Sequence, residues 1–127
     1  MAREVFFPNP QNKPVGYSPA TRVGNSVFVA GQVSVDANGN LVGKGDSGAQ
    51  ARQCFENVEA ALRSAGASWE DVTKLTAFLV DAADFSNYAE ARQRLFPQDG
   101  PASSTIIVKA LVKPEYLVEI EALAVVG

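Results

Sequence analysis

The sequence predicts an α+β fold, in which two helices pack on one face of a mixed β-sheet. Segments rich in β-branched and aromatic residues flank and separate two segments with helical periodicity, and no linker-like stretch divides the chain. The 127 residues fit a single domain over 1–127, and 46% hydrophobic against 20% charged residues can build a core. The predicted order is β-β-α-β-α-β-β.

The N-terminal third is predicted as an irregular arm followed by a β-hairpin. Three prolines within the first fourteen residues disfavour regular structure there. Residues 26–35, SVFVAGQVSV, have the composition of a strand, and the Asn38-Gly39 pair is typical of a tight hairpin turn. Residues 41–43, LVG, are therefore expected to begin the returning strand.

The two helices are predicted from the spacing of apolar residues. In residues 47–65 these recur three and four positions apart with Cys54 beside them, and Gly66 is a typical terminator. The second helix is predicted around DFSNYAEARQRLF, residues 84–96. Further strands are expected at 72–81, 103–111 and 117–126.

Composition excludes several classes of function. A net charge of −3 gives no electrostatic reason to expect nucleic acid or an anionic membrane as the partner. No apolar run approaches the length of a membrane span. The chain has no histidine, which excludes histidine-based catalytic triads and metal sites, and its single cysteine fits a cytoplasmic location. Catalysis would therefore rest on carboxylates, hydroxyls, Lys or Arg side chains, backbone amides and water.

The predicted strands carry more apolar side chains than one layer of helices can cover. Such a surplus favours self-association, because small monomers rarely expose large apolar surfaces. A sheet fully buried within one chain is the alternative. Two charges interrupt this pattern: Glu119 and Glu121 alternate with apolar residues and share one strand face. They either line a solvated face, or one of them lies in a cleft between subunits where burial would raise its pKa. The sequence does not distinguish the two glutamates.

The chain resembles the Rid family, the reactive intermediate deaminases, over roughly residues 14–126. The resemblance is carried by an ordered set of segments, GYSPA, VFVAGQV, QARQCFENVEAAL, AGASWEDVTKLTAFLVDAADF and VEIEALAVV. It implies a chorismate-mutase-like fold and a homotrimer whose sheets pack together inside, with three small-molecule clefts between subunits. Active members hydrolyse enamines and imines to a 2-keto acid and ammonia, without a metal or an organic cofactor.

The resemblance also implies roles for individual residues. Glu119 matches a glutamate that holds or activates the attacking water, and Tyr17 matches a tyrosine that lines the pocket. Gly31 and Gln32 match a Gly-Gln pair that supplies further contacts, and Ala30 stands where a serine is frequent. The implied substrate-binding set is Tyr17, Ala30, Gly31, Gln32, Ser103, Ser104 and Thr105, with Glu119 as the catalytic residue.

One departure from the family pattern bears directly on activity. PASST stands where the family has P-x-R-S/T, so Ser103 occupies the place of an arginine that grips the substrate carboxylate. Losing such a charge-assisted contact costs about 2–5 kcal/mol of binding. Ordinary deaminase activity toward 2-iminobutanoate or 2-aminoacrylate is therefore expected to be weak or absent. Arg22, Arg52 and Arg92 are the candidate substitutes for the missing cation.

Three functions follow from these observations. The first is a trimeric hydrolase of an imine, an enamine or a related carbonyl-derived metabolite. The second is a non-catalytic trimer that binds a small molecule or has a regulatory role. A role in binding or cleaving RNA is the third, and the acidic balance and the lack of histidine weigh against it.

Overall fold

A computed structural model describes residues 2–127 as one six-stranded sheet with two α-helices. Along the chain the elements are β1 (Glu4–Phe6), β2 (Ala20–Val23), β3 (Ser26–Gln32), α1 (Ser47–Ser64), β4 (Val72–Leu79), α2 (Phe85–Leu95), β5 (Ala102–Ile107) and β6 (Val118–Val125). Short 3-10 turns cover Pro10–Asn12, Trp69–Asp71 and Ala82–Asp84. The strand order across the sheet is β1-β2-β3-β6-β4-β5. Only the β4–β5 pair is parallel, so the sheet is mixed, as predicted.

Both helices form where their apolar spacing predicts them. The side chain of Asp46 accepts a hydrogen bond from the Ala49 amide and so caps the first turn of α1. Gly66 ends the helix with a φ of +82°, a conformation that glycine adopts without strain. The helix occupies Ser47–Ser64, one residue shorter than predicted.

The N-terminal third contains two strands that the sequence analysis did not predict. Residues Glu4–Phe6, assigned to an irregular arm, pair antiparallel with β2 and form one edge of the sheet. The first hairpin joins β2 to β3 through Gly24 and Asn25, and Gly24 has a φ of +58°. A positive φ at the first of two turn residues is the position at which a type II′ hairpin takes glycine.

The hairpin predicted at Asn38-Gly39 reduces to one isolated bridge between Val35 and Leu41. Side chains form hydrogen bonds with backbone groups that would otherwise pair between the two strands of the hairpin. Asn57 of α1 donates to the carbonyls of Val33 and Val35, so β3 stops at Gln32 rather than at residue 35. In the turn itself, the Asp36 carboxylate accepts from the amides of Asn38 and Asn40.

The strand predicted at 103–111 ends early, at Ile107. Its pairing partner β4 ends at Leu79, which is opposite Ile107, so the following residues have no strand to pair with. No helix within residues 2–127 combines the length and the apolarity needed to cross a membrane.

The two faces of the sheet have different surroundings. One packs under the helices, and its buried side chains include Leu75 and Leu79 of β4 and Ile120 of β6. We call the other the open face, because no helix or strand among residues 2–127 covers it. Phe28 and Val125 on this face are each 45% exposed.

Candidate functional site

A β-bulge in β3 shapes the centre of the candidate site. Val29 pairs with Ala122, whereas Gln32, three residues on, pairs with Ile120, two residues back. Strand β3 therefore contains one extra residue at Ala30–Gly31. The side-chain amide of Gln32 donates a 3.0 Å hydrogen bond to the Ala30 carbonyl, which fixes the bulge from within. The bulge bends the backbone beside the start of β6.

Glu119 of β6 lies directly against this bulge. A Cβ atom on Gly31 would overlap Oε2 of Glu119 and would lie 2.7 Å from its Cδ. The glutamate carboxylate thus occupies space that only a glycine at position 31 leaves free. The φ of Gly31 is not positive, and a Cβ there would displace only the flexible end of Glu119, so glycine is needed for this position of the carboxylate and not for the backbone conformation.

Partial burial shifts the ionisation of Glu119. Desolvation raises the pKa of this carboxyl above its ordinary value, and the negative charge of Glu121 raises it further. Glu119 is half-buried and Glu121 is exposed, although both lie on the open face. Of the two glutamates that the sequence left undistinguished, Glu119 has the environment of a proton-transfer group.

Cys54 lies in the core behind Glu119 and is fully buried. Its Sγ donates to the carbonyl of Val118 at 3.4 Å. Burial raises the pKa of this thiol to about 12, and the negative charge of Glu119 adds to the shift. A thiol in this state is not a nucleophile.

Tyr17 joins the same region from the N-terminal arm. It is 62% exposed and lines a groove together with Gly31 and Gln32. The far wall of this groove is formed by the loop that contains Asp36 and Asn38. Gly31 borders both this groove and the Glu119 carboxylate, although Glu119 itself does not line the groove. We call Tyr17, Ala30, Gly31, Gln32 and Glu119 the Glu119 half-site.

Ser103 lies elsewhere, on the edge strand β5. It pairs with Leu75, a core residue, so its side chain is on the helix-facing side of the sheet. Its hydroxyl oxygen accepts a 3.0 Å hydrogen bond from Nη1 of Arg92, in the last turn of α2. We call Arg92 and Ser103 the Ser103 half-site. Thr105, half-buried, is on the same side of β5.

Ser104 is separated from Ser103 by the sheet itself. Its hydroxyl accepts a 2.8 Å hydrogen bond from Nζ of Lys74, and both side chains are on the open face. The two adjacent serines, predicted to shape one pocket, therefore point to opposite faces within one chain. A strand alternates its side chains between faces, so this separation was available from the sequence once the strand was assigned.

The other two candidate arginines are placed away from Ser103. Arg22 donates to the carbonyls of Gly24 and Ala65, at 2.8 and 2.9 Å, and so ties the first hairpin to the end of α1. Arg52 is exposed and lines a groove between the two helices. Among the three candidates, Arg92 alone contacts Ser103.

Within one chain the two half-sites are on opposite faces of the sheet. Glu119 pairs with Phe78 of β4, which alternates with the core residues Leu75 and Leu79 and is on the open face. Ser103 and Arg92 are on the helix side. Strand β5 is a sheet edge with no partner beyond it among residues 2–127. A site containing both half-sites would have to combine two copies of the chain.

Sequence reasoning gave Lys74 no role and left Arg92 as one of three alternatives. The position of Arg92 on a helix does not show which strand its guanidinium reaches, because that depends on how α2 packs against the sheet. Lys74 is on a predicted strand, and its pairing with Ser104 requires knowing that β4 and β5 are parallel neighbours. Among residues 2–127, no cluster of three His, Cys, Asp or Glu side chains is placed to hold a metal ion.

Comparison with known proteins identifies the family. The profile of the family described as Endoribonuclease L-PSP matches residues 10–126. A RutC family protein from Pyrococcus abyssi is 42% identical over 98% of both chains, and the 3-aminoacrylate deaminase RutC from Acinetobacter baylyi is 37% identical over 98% of both.

A solved structure extends the likeness to the whole fold. That of YyfA from Yersinia pestis, described as a protein of unknown function in the conserved Rid family, is 31% identical with a TM-score of 0.90. The superposition covers 98% of this chain and 100% of YyfA. The chain therefore belongs to the Endoribonuclease L-PSP family, whose members also carry the names RutC and Rid.

Proposed function

We propose that the chain is a homotrimeric hydrolase of C=N bonds, acting on an imine or an enamine in clefts between subunits. Each cleft would combine the Glu119 half-site of one copy with the Ser103 half-site of the next. The separation of the half-sites across the sheet supports this arrangement, since one copy cannot present both to one substrate. The exposed apolar side chains of the open face supply a surface for the assembly.

The observation that supports the proposal most strongly is the close contact between the Glu119 carboxylate and the backbone at Gly31. A half-buried carboxylate with a raised pKa accepts a proton more readily than a solvated one. It is therefore suited to orient a water molecule and to take its proton. Tyr17 and Gln32 border the adjoining groove and would hold the substrate near that water.

The reaction balances without any group beyond substrate and water. An enamine first takes a proton on carbon and loses one from nitrogen, which gives the imine. Water then adds to the imine carbon: its oxygen forms the new C–O bond, the C=N electron pair moves to the nitrogen, which takes up a proton from solvent, and one water proton passes to Glu119. Glu119 returns that proton to the nitrogen, the C–N bond breaks and ammonia leaves, and the remaining hydroxyl proton passes to water as the carbon becomes a carbonyl.

A relative with a stated activity supports this class of reaction. The Acinetobacter baylyi protein is named a 3-aminoacrylate deaminase, and 3-aminoacrylate is an enamine that bears a carboxylate. The family description also names an endoribonuclease, but here the net charge of −3 and the lack of histidine argue against cleavage of RNA.

A non-catalytic binding trimer is the second candidate, favoured by the serine at position 103. Ser103 alone supplies one hydroxyl and no charge, so activity toward ordinary 2-imino acids is expected to be weak or absent unless another cation acts there. A cytoplasmic location, where such metabolites arise, fits either candidate.

A coupled assay tests the proposal. A dehydratase generates 2-aminoacrylate or 2-iminobutanoate in place, and ammonia and keto-acid release are followed with and without this protein. We expect the protein to accelerate hydrolysis of at least one of these imines, only weakly if no other cation replaces the missing arginine, and Glu119→Gln to remove that acceleration. Glu56→Gln, on the exposed side of α1, is the matched control and should behave as wild type.

Size measurement in solution completes the test. We expect a trimer for the wild type and for Glu119→Gln alike, so that loss of activity is not confused with loss of assembly. A monomeric wild-type protein would contradict the shared cleft. A trimer without acceleration of any imine would favour the binding module instead.

A further inference from the structure

The guanidinium of Arg92, on α2, lies beside Ser103 of β5. Nη1 of Arg92 donates to the hydroxyl oxygen of Ser103 at 3.0 Å. Both residues border a shallow depression at the edge of the sheet, together with Pro101 and Phe96. Position 103 therefore presents a hydroxyl with a guanidinium beside it, although the cation belongs to a helix and not to the strand.

Arg92 has no carboxylate partner in the part of the chain that the structure describes. Two ion pairs occur there, Arg63 with Glu59 and Arg94 with Glu90, and neither includes Arg92. A guanidinium carries five N–H donors, and the bond to Ser103 uses one of them. The charge and the remaining donors of Arg92 are thus free for an anion.

Aromatic rings hold this guanidinium in position. Its central carbon lies 5.2 Å from the ring centroid of Tyr88 and 6.0 Å from that of Phe85. Tyr88 is fully buried and stacks on Phe55 of α1, so the ring beneath Arg92 is fixed by the core. A cation oriented in advance loses little side-chain entropy when a ligand binds.

We propose that Arg92, together with Ser103, binds the carboxylate of an acidic imine or enamine substrate. This inference rests on the proposed function and assigns the residue that recognises the substrate carboxylate. The guanidinium offers parallel donors that match the two oxygens of a carboxylate, and the Ser103 hydroxyl can turn its proton to the same anion. The pair thus supplies, from two elements, what a strand arginine would supply from one.

A purely structural role for Arg92 is the competing explanation. An arginine in the last turn of a helix interacts favourably with the helix dipole, and its bond to Ser103 ties α2 to β5. Arg94 is also in that last turn but pairs with Glu90, at 2.7 Å. Arg94 therefore serves as the control for a helix-terminal arginine that faces no anion site.

Ligand binding separates the two roles without any turnover. We would titrate the trimer with 2-oxobutanoate, the keto-acid product of 2-iminobutanoate, and with its neutral analogue 2-oxobutanamide, following both by calorimetry. We expect the wild type to bind the carboxylate at least about tenfold more tightly than the amide. Arg92→Gln should abolish this preference, whereas Arg94→Gln should keep it.

Moving the cation back to the strand supplies the rescue. In Arg92→Gln/Ser103→Arg, the guanidinium returns to β5, and we expect the preference for 2-oxobutanoate to return as well. If Arg92 served only to link α2 to β5, no such recovery is expected, because the hydrogen bond between these two elements is still missing in the double variant. Thermal unfolding of each variant shows whether its fold is retained, and the double variant decides the matter if Arg92→Gln alone is unstable.

The outcomes for the two proposals are distinct. If the wild type prefers the carboxylate and Arg92→Gln does not, the inference holds even when no imine is hydrolysed. If the wild type accelerates imine hydrolysis but shows no preference between the two ligands, Arg92 is not the carboxylate-binding residue and the proposed hydrolysis still holds. An unchanged preference in Arg92→Gln would overturn the inference in the same way.

Discussion

The carboxylate of Glu119 fills the space beside Gly31 that a side chain would otherwise occupy. The two residues belong to neighbouring strands and meet where the bulge in β3 interrupts the ladder with β6. The position of the carboxylate therefore depends on the absence of a Cβ atom at residue 31. Any side chain there must push the carboxylate away from the bulge.

Gly31→Ala tests this dependence. The new methyl group displaces the end of a flexible side chain and not the backbone, so we expect little change in the thermal midpoint. The rate of imine hydrolysis should fall about tenfold to a hundredfold, because the water that we propose Glu119 orients would move with the carboxylate. Steady-state kinetics on 2-iminobutanoate, with thermal unfolding alongside, measure the two effects.

Gly48→Ala is the matched control for that substitution. A Cβ on this helical glycine would make ordinary contact with Arg52, at 3.4 Å, and alanine favours a helix over glycine. Both activity and stability should stay at or slightly above the wild-type level. If Gly31→Ala keeps full activity, the position of the Glu119 carboxylate beside residue 31 does not affect the rate of hydrolysis.

The negative charge of Glu121 raises the pKa of Glu119. It is the second cause of the raised pKa of Glu119, after desolvation. Glu121→Gln removes that charge, so the pKa of Glu119 should fall toward its ordinary value. The pH at which kcat/KM drops on the acid side should then move to lower pH, as expected when the active form is the carboxylate. Glu56→Gln should leave the profile in place, and a shift to higher pH would contradict the role of Glu119 as a base.

The sequence predicted most of the fold because its signals are local. The apolar spacing and the Gly66 signal of α1 act within a few turns of helix, and the helix formed almost as predicted. The Asn38-Gly39 hairpin failed although the dipeptide favours a turn. Asn57 takes the carbonyls of Val33 and Val35, and such a contact between a helix and a loop cannot be seen in a local pattern.

The site was predictable only in part, for the same reason. Resemblance identified Glu119 and Ser103 as positions in a motif, but not that they are on opposite faces of the sheet. The contact of Arg92 with Ser103 depends on the packing of α2 beside the edge strand, over a separation of eleven residues. Which arginine lies next to Ser103 depends on tertiary packing. The sequence could therefore name three candidates but could not distinguish among them.

Mixing two variants tests whether each site is shared between copies, provided that each alone loses activity toward 2-iminobutanoate, as we expect when Glu119 acts as the base and Arg92 binds the substrate carboxylate. In a mixture of Glu119→Gln and Arg92→Gln subunits, a Glu119→Gln copy still supplies Arg92, and an Arg92→Gln copy still supplies Glu119. After random reassembly, about a quarter of the clefts would contain both wild-type residues, and activity should recover to about that fraction. Co-refolding the two proteins, followed by the imine assay, measures the recovery.

The control for this mixture uses two variants from one half-site. Glu119→Gln and Gly31→Ala both damage the Glu119 half-site, and no copy in their mixture supplies an intact one. Their mixture should show no recovery beyond the sum of the separate proteins. Equal recovery in both mixtures, or none in either, would mean that the site is not divided between copies as proposed.

Glu119 should also cost the protein stability above the pH at which it ionises. Because its pKa is raised in the folded state, the folded protein binds this proton more tightly than the unfolded chain does. The free energy of unfolding therefore falls as the pH rises through the folded-state pKa. Glu119→Gln removes the ionisation, so this variant should be more stable than the wild type near neutral pH.

The sign of the pH dependence makes this prediction specific. The advantage of Glu119→Gln should shrink as the pH falls, and it should vanish below the ordinary pKa range of a glutamate, where both proteins are neutral at this position. Urea unfolding at one fixed protein concentration, repeated from acidic to mildly alkaline pH, measures the difference. Glu56→Gln, at an exposed site on α1, should show no such trend. A Glu119→Gln protein less stable than wild type near neutral pH would mean that the carboxylate is held by favourable contacts, and that its raised pKa does not describe the folded state.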